Sequence, residues 1–166
     1  MMFTHSLIEQ AETLIDRART AGVMIATAES CTGGLVSALL TEIPGSSDVV
    51  DRGFVTYSNA AKTEMLGVPA RVIEANGAVS SEVARRMADE ALLRSNADIA
   101  VSITGVAGPG GSEHKPAGLV HFALARRDGP TRTEVHRFGD RGRDAVRLAS
   151  VATALDLLAD GVDFFG

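Results

Sequence analysis

The sequence predicts an α/β protein: a three-layer α/β/α sandwich around a mixed, mostly parallel sheet of about five strands. Three observations carry that expectation. Short apolar runs at 23–27, 49–57 and 99–104 alternate with segments whose apolar residues recur at helical spacing, the pattern of strand and helix units on a parallel sheet. Two further strand-like runs, 118–125 and 131–138, are joined through Asp128-Gly129-Pro130 and read as an antiparallel hairpin, which makes the sheet mixed. The chain has 166 residues, 45% of them apolar, and a mean hydropathy of +0.12. That is enough for one well-buried core, so residues 1–166 are read as a single domain without repeat or linker.

Each element follows from local chemistry. Leu7, Ile8, Ala11, Leu14, Ile15 and Ala18 recur at helical spacing, with Ser6 and Glu9 as a capping box and Gly22 as the stop. The strand at 23–27 comes next, followed by a helix from Thr32 to about Leu40. Pro44-Gly45-Ser46-Ser47 breaks the chain before the second strand, and Ser58 or Asn59 caps a short helix that contains Lys62 and stops at Gly67. Residues 68–77 show no clear period. Ser80 caps a helix to about Ser95, with Val83, Met87, Ala91 and Leu92 inward. The third strand exits into Gly105-Val106-Ala107-Gly108-Pro109-Gly110-Gly111, too rich in glycine and proline to continue as helix or strand. A helix from Arg141 to Leu158 closes the chain, with Val146, Ala149, Ala152 and Leu155 inward.

Composition excludes several function classes. No run approaches the roughly 18 consecutive apolar residues of a membrane helix, and the first five residues lack the basic region and apolar core of a signal peptide. A cytoplasmic protein with no membrane partner is expected. The single cysteine cannot form an internal disulfide, in keeping with a reducing compartment. A net charge of −5, one tyrosine and no tryptophan argue against a nucleic-acid surface, while a small anionic ligand needs only a local pocket. Neither G-x-G-x-x-G after the first strand nor G-x-x-x-x-G-K-[ST] is present, so dinucleotide-fold and P-loop chemistry are not supported. The four histidines show no metal-ligand spacing. No metal and no cofactor are expected.

The chemistry concentrates at the ends of the strands, where α/β sheets bind ligands. In Ala28-Glu29-Ser30-Cys31-Thr32-Gly33-Gly34 a hydroxyl and a thiol stand side by side where a strand gives way to a helix. Free N–H groups of that helix's first turn are expected around Ser30, suiting an oxyanion or a phosphate. A serine nucleophile needs a base, and Lys62 offers one. An unperturbed lysine of pKa about 10.4 is neutral in only ~0.04% of molecules at pH 7, whereas one lowered to about 8 is neutral in ~10%. Burial beside Phe54 or Met65, or the positive end of the short helix, would have to lower it. Local sequence also allows plainer roles: Ser30 as a helix cap, Lys62 as a surface charge, Tyr57 as a packed strand residue and the Gly105 loop as a wide turn. Cys31 is an alternative nucleophile without a nearby histidine to activate it. Tyr57 and Lys62 are separated by four residues, which is not the Y-x-x-x-K pair of short-chain dehydrogenases.

Three motifs in order, residues 27–34, 53–62 and 104–111, resemble the CinA C-terminal domain family. The resemblance spans nearly the whole chain, and with the first motif within 30 residues of the N-terminus it looks like the stand-alone form. It implies an amidohydrolase that converts nicotinamide mononucleotide to nicotinate mononucleotide and ammonia. By the same resemblance Ser30 matches the nucleophile, Lys62 the general base and Tyr57 an assisting hydroxyl, with the substrate held by Cys31, Thr32, Gly33, Gly34, Thr104, Gly105 and Gly108. In the segment 138–143, Arg141 is the expected phosphate ligand, with Arg143 beside it as the other candidate. The expected partners are a small-molecule nucleotide substrate and further copies of the chain in a homo-oligomer. Two other functions remain open: a non-catalytic nucleotide-binding module related to competence or DNA damage, and a serine amidase for another small amide.

Overall fold

Strand β1 (Ile25–Glu29) is buried along its whole length, and its burial on both faces organises the molecule. The computed structural model describes residues 2–112 and 114–165. In chain order the elements are α1 (His5–Ala21), β1, α2 (Leu35–Glu42), β2 (Val50–Val55), α3 (Asn59–Leu66), α4 (Ala70–Asn76), α5 (Ser81–Leu93), β3 (Ile99–Gly105), β4 (Leu119–Arg126), β5 (Arg132–Arg137) and α6 (Arg143–Phe165). The sheet order is β2-β1-β3-β4-β5. β1 pairs in parallel with β2 and β3, and the β4–β5 hairpin adds antiparallel strands beyond β3. The expected mixed sheet with helices on both faces is therefore present.

Strand alternation sorts the two faces. On one, Ile25, Ile99, Val101, Ile103, Val120, Phe122 and Leu124 pack with α1, α2 and α6 in the main core. On the other, Ala26, Ala28 and Ala100 pack with Leu66, Ile73, Val83 and Met87 from α3, α4 and α5. The small residues on this second face let α5 approach closely, and Ser102 Oγ donates to the Ala84 carbonyl at 2.5 Å. The next residue in this phase beyond β1 is Ser30, so alternation alone sends its side chain toward α3.

Several boundaries differ from the sequence reading, each for a local reason. Thr4, not Ser6, caps α1, its hydroxyl accepting from Leu7 N–H. Helix α2 begins at Leu35 rather than Thr32, because Gly33 and Gly34 take φ of 59° and 99°, a left-handed conformation that ends any helical run. The unassigned stretch at 68–77 contains α4, opened by Pro69 and stopped at Gly77. Helix α6 starts two residues later and runs to Phe165. Ala149 and Ala152 are only half-buried, while Val146, Ser150, Ala154, Leu158 and Val162 form its inward stripe. It continues past Leu158 because Gly161 lies on the sheet, where an added Cβ would stand 3.1 Å from Ile99 and 3.3 Å from Leu124. The Gly22 and Gly67 stops and the Ser58 and Ser80 caps are where the sequence places them.

Candidate active site

Ser30 leaves the end of β1 with its N–H on the Ile103 carbonyl at 3.0 Å. Its side chain enters a cleft of about 340 Å³ between the turn after β1, the start of α3 and the loop after β3, a size within the roughly 300–1,000 Å³ of small-molecule sites. Lys62 comes up from α3, 1% exposed, and its Nζ lies 3.0 Å from Ser30 Oγ, 2.9 Å from the Thr56 carbonyl and 3.3 Å from the Tyr57 carbonyl. A neutral amine with its two hydrogens on the carbonyls has its lone pair left for the Ser30 hydroxyl.

Burial brings the Lys62 pKa down to about 8, opposed by Cys31. Met65 is exposed and does not supply that burial. Cys31 also lines the cleft, yet its own burial pushes the thiol up to about 11, so it stays protonated where Lys62 begins to titrate. What separates the two candidates is the amine itself, which contacts the Ser30 hydroxyl at 3.0 Å.

Lys62, Ser30, Cys31, Tyr57, Thr104, Gly105 and Gly108 meet on one cleft. Tyr57 does so through a different contact from the expected one. The residue is 62% exposed and its hydroxyl accepts from Arg143 Nη2 at 2.9 Å, so only its backbone carbonyl meets Lys62. Thr104 is buried and donates to the Ala78 carbonyl at 2.8 Å, tying the floor of the cleft to the connection before α5. At Gly105 an added Cβ would lie 2.7 Å from Val120 and 2.9 Å from the Leu119 carbonyl, so the residue must be glycine for β3 to reach β4 here.

Four expected residues do not line the cleft. Thr32 donates its hydroxyl to Glu29 Oε1 at 2.7 Å, and Gly33 and Gly34 shape the turn. Arg141 is exposed and turns back on the Phe138 carbonyl at 2.9 Å. Arg143 lines the cleft instead, donating to the Gly108 carbonyl at 2.8 Å as well as to Tyr57. The N-terminal amides of α2 are not open to a ligand either: Val36 N–H and Ser37 N–H donate to the Glu29 carboxylate at 2.9 and 3.0 Å. The Cys31 N–H, by contrast, meets its own Sγ and makes no backbone hydrogen bond to another of the described residues.

Sequence reasoning passed over Glu29 and Arg147, which grip the turn that follows Ser30. A signal existed for Glu29: a carboxylate inside an apolar run must find donors, and alternation aims it at the start of α2. Nothing local marked Arg147. Among the described residues no group of three or more His, Cys, Asp or Glu converges as metal ligands, and no helix is long and apolar enough to cross a membrane.

Residues 8–162 match the family model of the CinA C-terminal domain. A CinA-like protein of Mycobacterium sp. (strain JLS) is 55% identical over 140 residues, covering 83% of this chain and 33% of that protein. A CinA-like protein of Synechococcus sp. (strain RCC307) is 49% identical over 150 residues, covering 89% and 36%. The chain spans about a third of the length of the curated relatives it matches. Among solved structures, the competence/damage inducible protein CihA from Agrobacterium tumefaciens superposes with a TM-score of 0.92 at 52% identity, over 95% of this chain and 96% of that one. A competence-damaged protein (CinA) superfamily protein from Escherichia coli does so with 0.88 at 33% identity, over 94% and 91%.

Proposed function

The chain belongs to the CinA C-terminal domain family, and from that membership and the Ser30–Lys62 contact we propose that it is an amidohydrolase acting on nicotinamide mononucleotide. The single observation that carries the reading is a buried lysine amine 3.0 Å from a serine hydroxyl at the end of a strand. A lysine kept as a solvated surface charge would not be there, since burying it without a function costs stability.

Neutral Lys62 accepts the hydroxyl proton as Ser30 Oγ attacks the carboxamide carbon. The carbonyl oxygen becomes an oxyanion, and the Cys31 and Thr32 N–H groups of the adjoining turn, which make no backbone hydrogen bond to another of the described residues, are the donors suited to it. The Thr56 and Tyr57 carbonyls hold the resulting ammonium. It passes the proton to the departing nitrogen as the C–N bond breaks, releasing ammonia and leaving the acyl-enzyme. Water then attacks the ester with Lys62 again as base, freeing nicotinate mononucleotide and Ser30. Arg143 at the mouth and the amides of the glycine-rich loop are the groups suited to the phosphate. No step calls for a metal or cofactor.

Ammonia release from nicotinamide mononucleotide, measured beside Ser30→Ala and across a panel of small amides, tests the reading. Release from the nucleotide that Ser30→Ala abolishes is expected. Release from other amides alone moves the assignment to a general serine amidase, and none at all to a binding module.

A further inference from the structure

The turn between Ser30 and α2 is gripped from two sides by charged side chains that take no part in the steps above. On one side Glu29, fully buried, gives one carboxylate oxygen to Thr32 Oγ1 at 2.7 Å and Val36 N–H at 2.9 Å, and the other to Ser37 N–H at 3.0 Å. On the other side Arg147 of α6 donates from Nε to the Cys31 carbonyl at 3.1 Å and from Nη2 to the Thr32 carbonyl at 3.2 Å. An eight-residue helix needs no buried carboxylate to cap it; a serine or threonine hydroxyl suffices, as at α3 and α5. Carrying a charge into the core for that purpose is costly unless it also fixes something else.

The fixed element is the catalytic pair. Main-chain bonds of Glu29 extend the grip to the base: its carbonyl accepts the Thr56 N–H at 2.8 Å, and the Thr56 carbonyl in turn accepts from Lys62 Nζ at 2.9 Å. Arg147 sets the other half of the turn. Because a peptide unit is planar and trans, holding the Cys31 carbonyl on α6 turns the Thr32 N–H the opposite way. Neither the Cys31 nor the Thr32 N–H makes a backbone hydrogen bond to another of the described residues. We infer that Glu29 and Arg147 are positioning residues, which clamp the Cys31–Gly34 turn between α2 and α6 and thereby hold the Ser30 hydroxyl against Lys62.

The inference rests on the reading of Ser30 as nucleophile, and not on which amide is the substrate. The test therefore uses a serine-directed fluorophosphonate. Ser30 Oγ forms the bond to phosphorus as the P–F bond breaks, fluoride leaves and the hydroxyl proton goes to Lys62. Mass spectrometry of the intact protein then gives the rate constant and the final extent of labelling as separate numbers. In Glu29→Gln and Arg147→Ala the rate constant is expected to fall roughly 10- to 100-fold, the scale of a misplacement of about 1 Å. The final extent should stay complete, Arg147→Lys should recover part of the rate, and kcat on nicotinamide mononucleotide should fall with little change in KM. A merely structural role would lower the labelled fraction or the melting temperature and leave the rate constant of the folded molecules within about twofold, which overturns the inference.

Should Glu29→Gln fail to fold, Thr32→Val asks the same question by removing one donor from the carboxylate at nearly constant volume. Slowing by about 3- to 10-fold, the scale of one lost hydrogen bond, supports the clamp, and an unchanged rate refutes it. The two readings fail separately. A protein labelled at Ser30 that releases no ammonia from the nucleotide loses its substrate assignment and keeps the clamp, whereas one that is not labelled at Ser30 loses the nucleophile and the clamp together.

Discussion

Glu29 and Ser30 are consecutive in the chain and serve opposite faces of the sheet: the Glu29 carboxylate lies 2.9 Å from the Val36 amide of α2, and Ser30 Oγ lies 3.0 Å from Lys62 Nζ of α3. The strand's two-residue period produces this split. It places the Ser30 hydroxyl against the Lys62 amine, and the Glu29 carboxylate occupies the Val36 and Ser37 amides at the start of α2. In the proposed mechanism an oxyanion at Ser30 therefore draws on donors other than those amides.

Ser30→Ala should fold and lose at least about a thousandfold in turnover, as removal of a nucleophile commonly does. Cys31→Ala should retain most activity, because the Lys62 amine contacts the Ser30 hydroxyl. Steady-state ammonia release on the two variants checks both. An active Ser30→Ala with an inactive Cys31→Ala would transfer the mechanism to the thiol.

Turnover should rise with pH through a midpoint near 8, where buried Lys62 loses its proton, because only the neutral amine can accept the serine proton. Lys62→Arg should be inactive across that range, since arginine stays protonated. A kcat profile flat from pH 6.5 to 9, or near-normal activity in Lys62→Arg, would show that position 62 needs only a cation.

The same burial has a stability consequence whose sign is fixed. Lys62 has a pKa of about 8 folded against 10.5 as an ordinary lysine, so below pH 8 both states carry the proton and the folded state bears its full burial cost. Between about 8 and 10.5 the unfolded chain binds more protons, and stability rises with pH. That lowering of the pKa corresponds to on the order of 3 kcal/mol, less whatever is lost at the two carbonyls. Lys62→Met should therefore melt higher than the parent at pH 7, with the gap narrowing toward pH 10. A gap independent of pH, read by calorimetry, would contradict the burial argument.

Much of this site is legible in the amino-acid sequence, because its parts are local. A cap at Ser58, a stop at Gly67 and a lysine between them place Lys62 on a short helix, and strand alternation from Ala26 and Ala28 aims Ser30 at it. What sequence hides is set by distant partners. Helix α4 has one buried side chain, Ile73, so it shows no period. The Arg147 contacts span 115 and 116 positions. The choice between Arg141 and Arg143 depends on the left-handed turns at Gly139 and Gly142, which put the second arginine on the cleft and the first on Phe138.

That difference is itself testable. Arg143→Ala should raise KM for the nucleotide by roughly 10- to 150-fold, the usual loss for a charge-assisted contact of about 1.5–3 kcal/mol. Arg141→Ala should change it by less than about twofold, as an exposed side chain bonded only to its own turn. Equal losses in both would mean that the segment rearranges when substrate binds.

Phosphate recognition as a whole is separable from the arginine. The chain carries a net charge of −5, so any attraction for a phosphate must come from a local site, and the cleft is lined by Arg143 and the loop from Gly105 to Gly111. Nicotinamide riboside presents the same carboxamide and sugar without the phosphate, and its kcat/KM should fall below that of the nucleotide by more than the loss in Arg143→Ala, because the backbone amides are removed from play along with the guanidinium. If Arg143→Ala costs as much as deleting the phosphate, the arginine is the main anchor and the loop amides serve only to shape the cleft. If the riboside and the nucleotide are turned over with comparable efficiency, the phosphate is not recognised, and the Ser30–Lys62 pair serves a broader class of small amides.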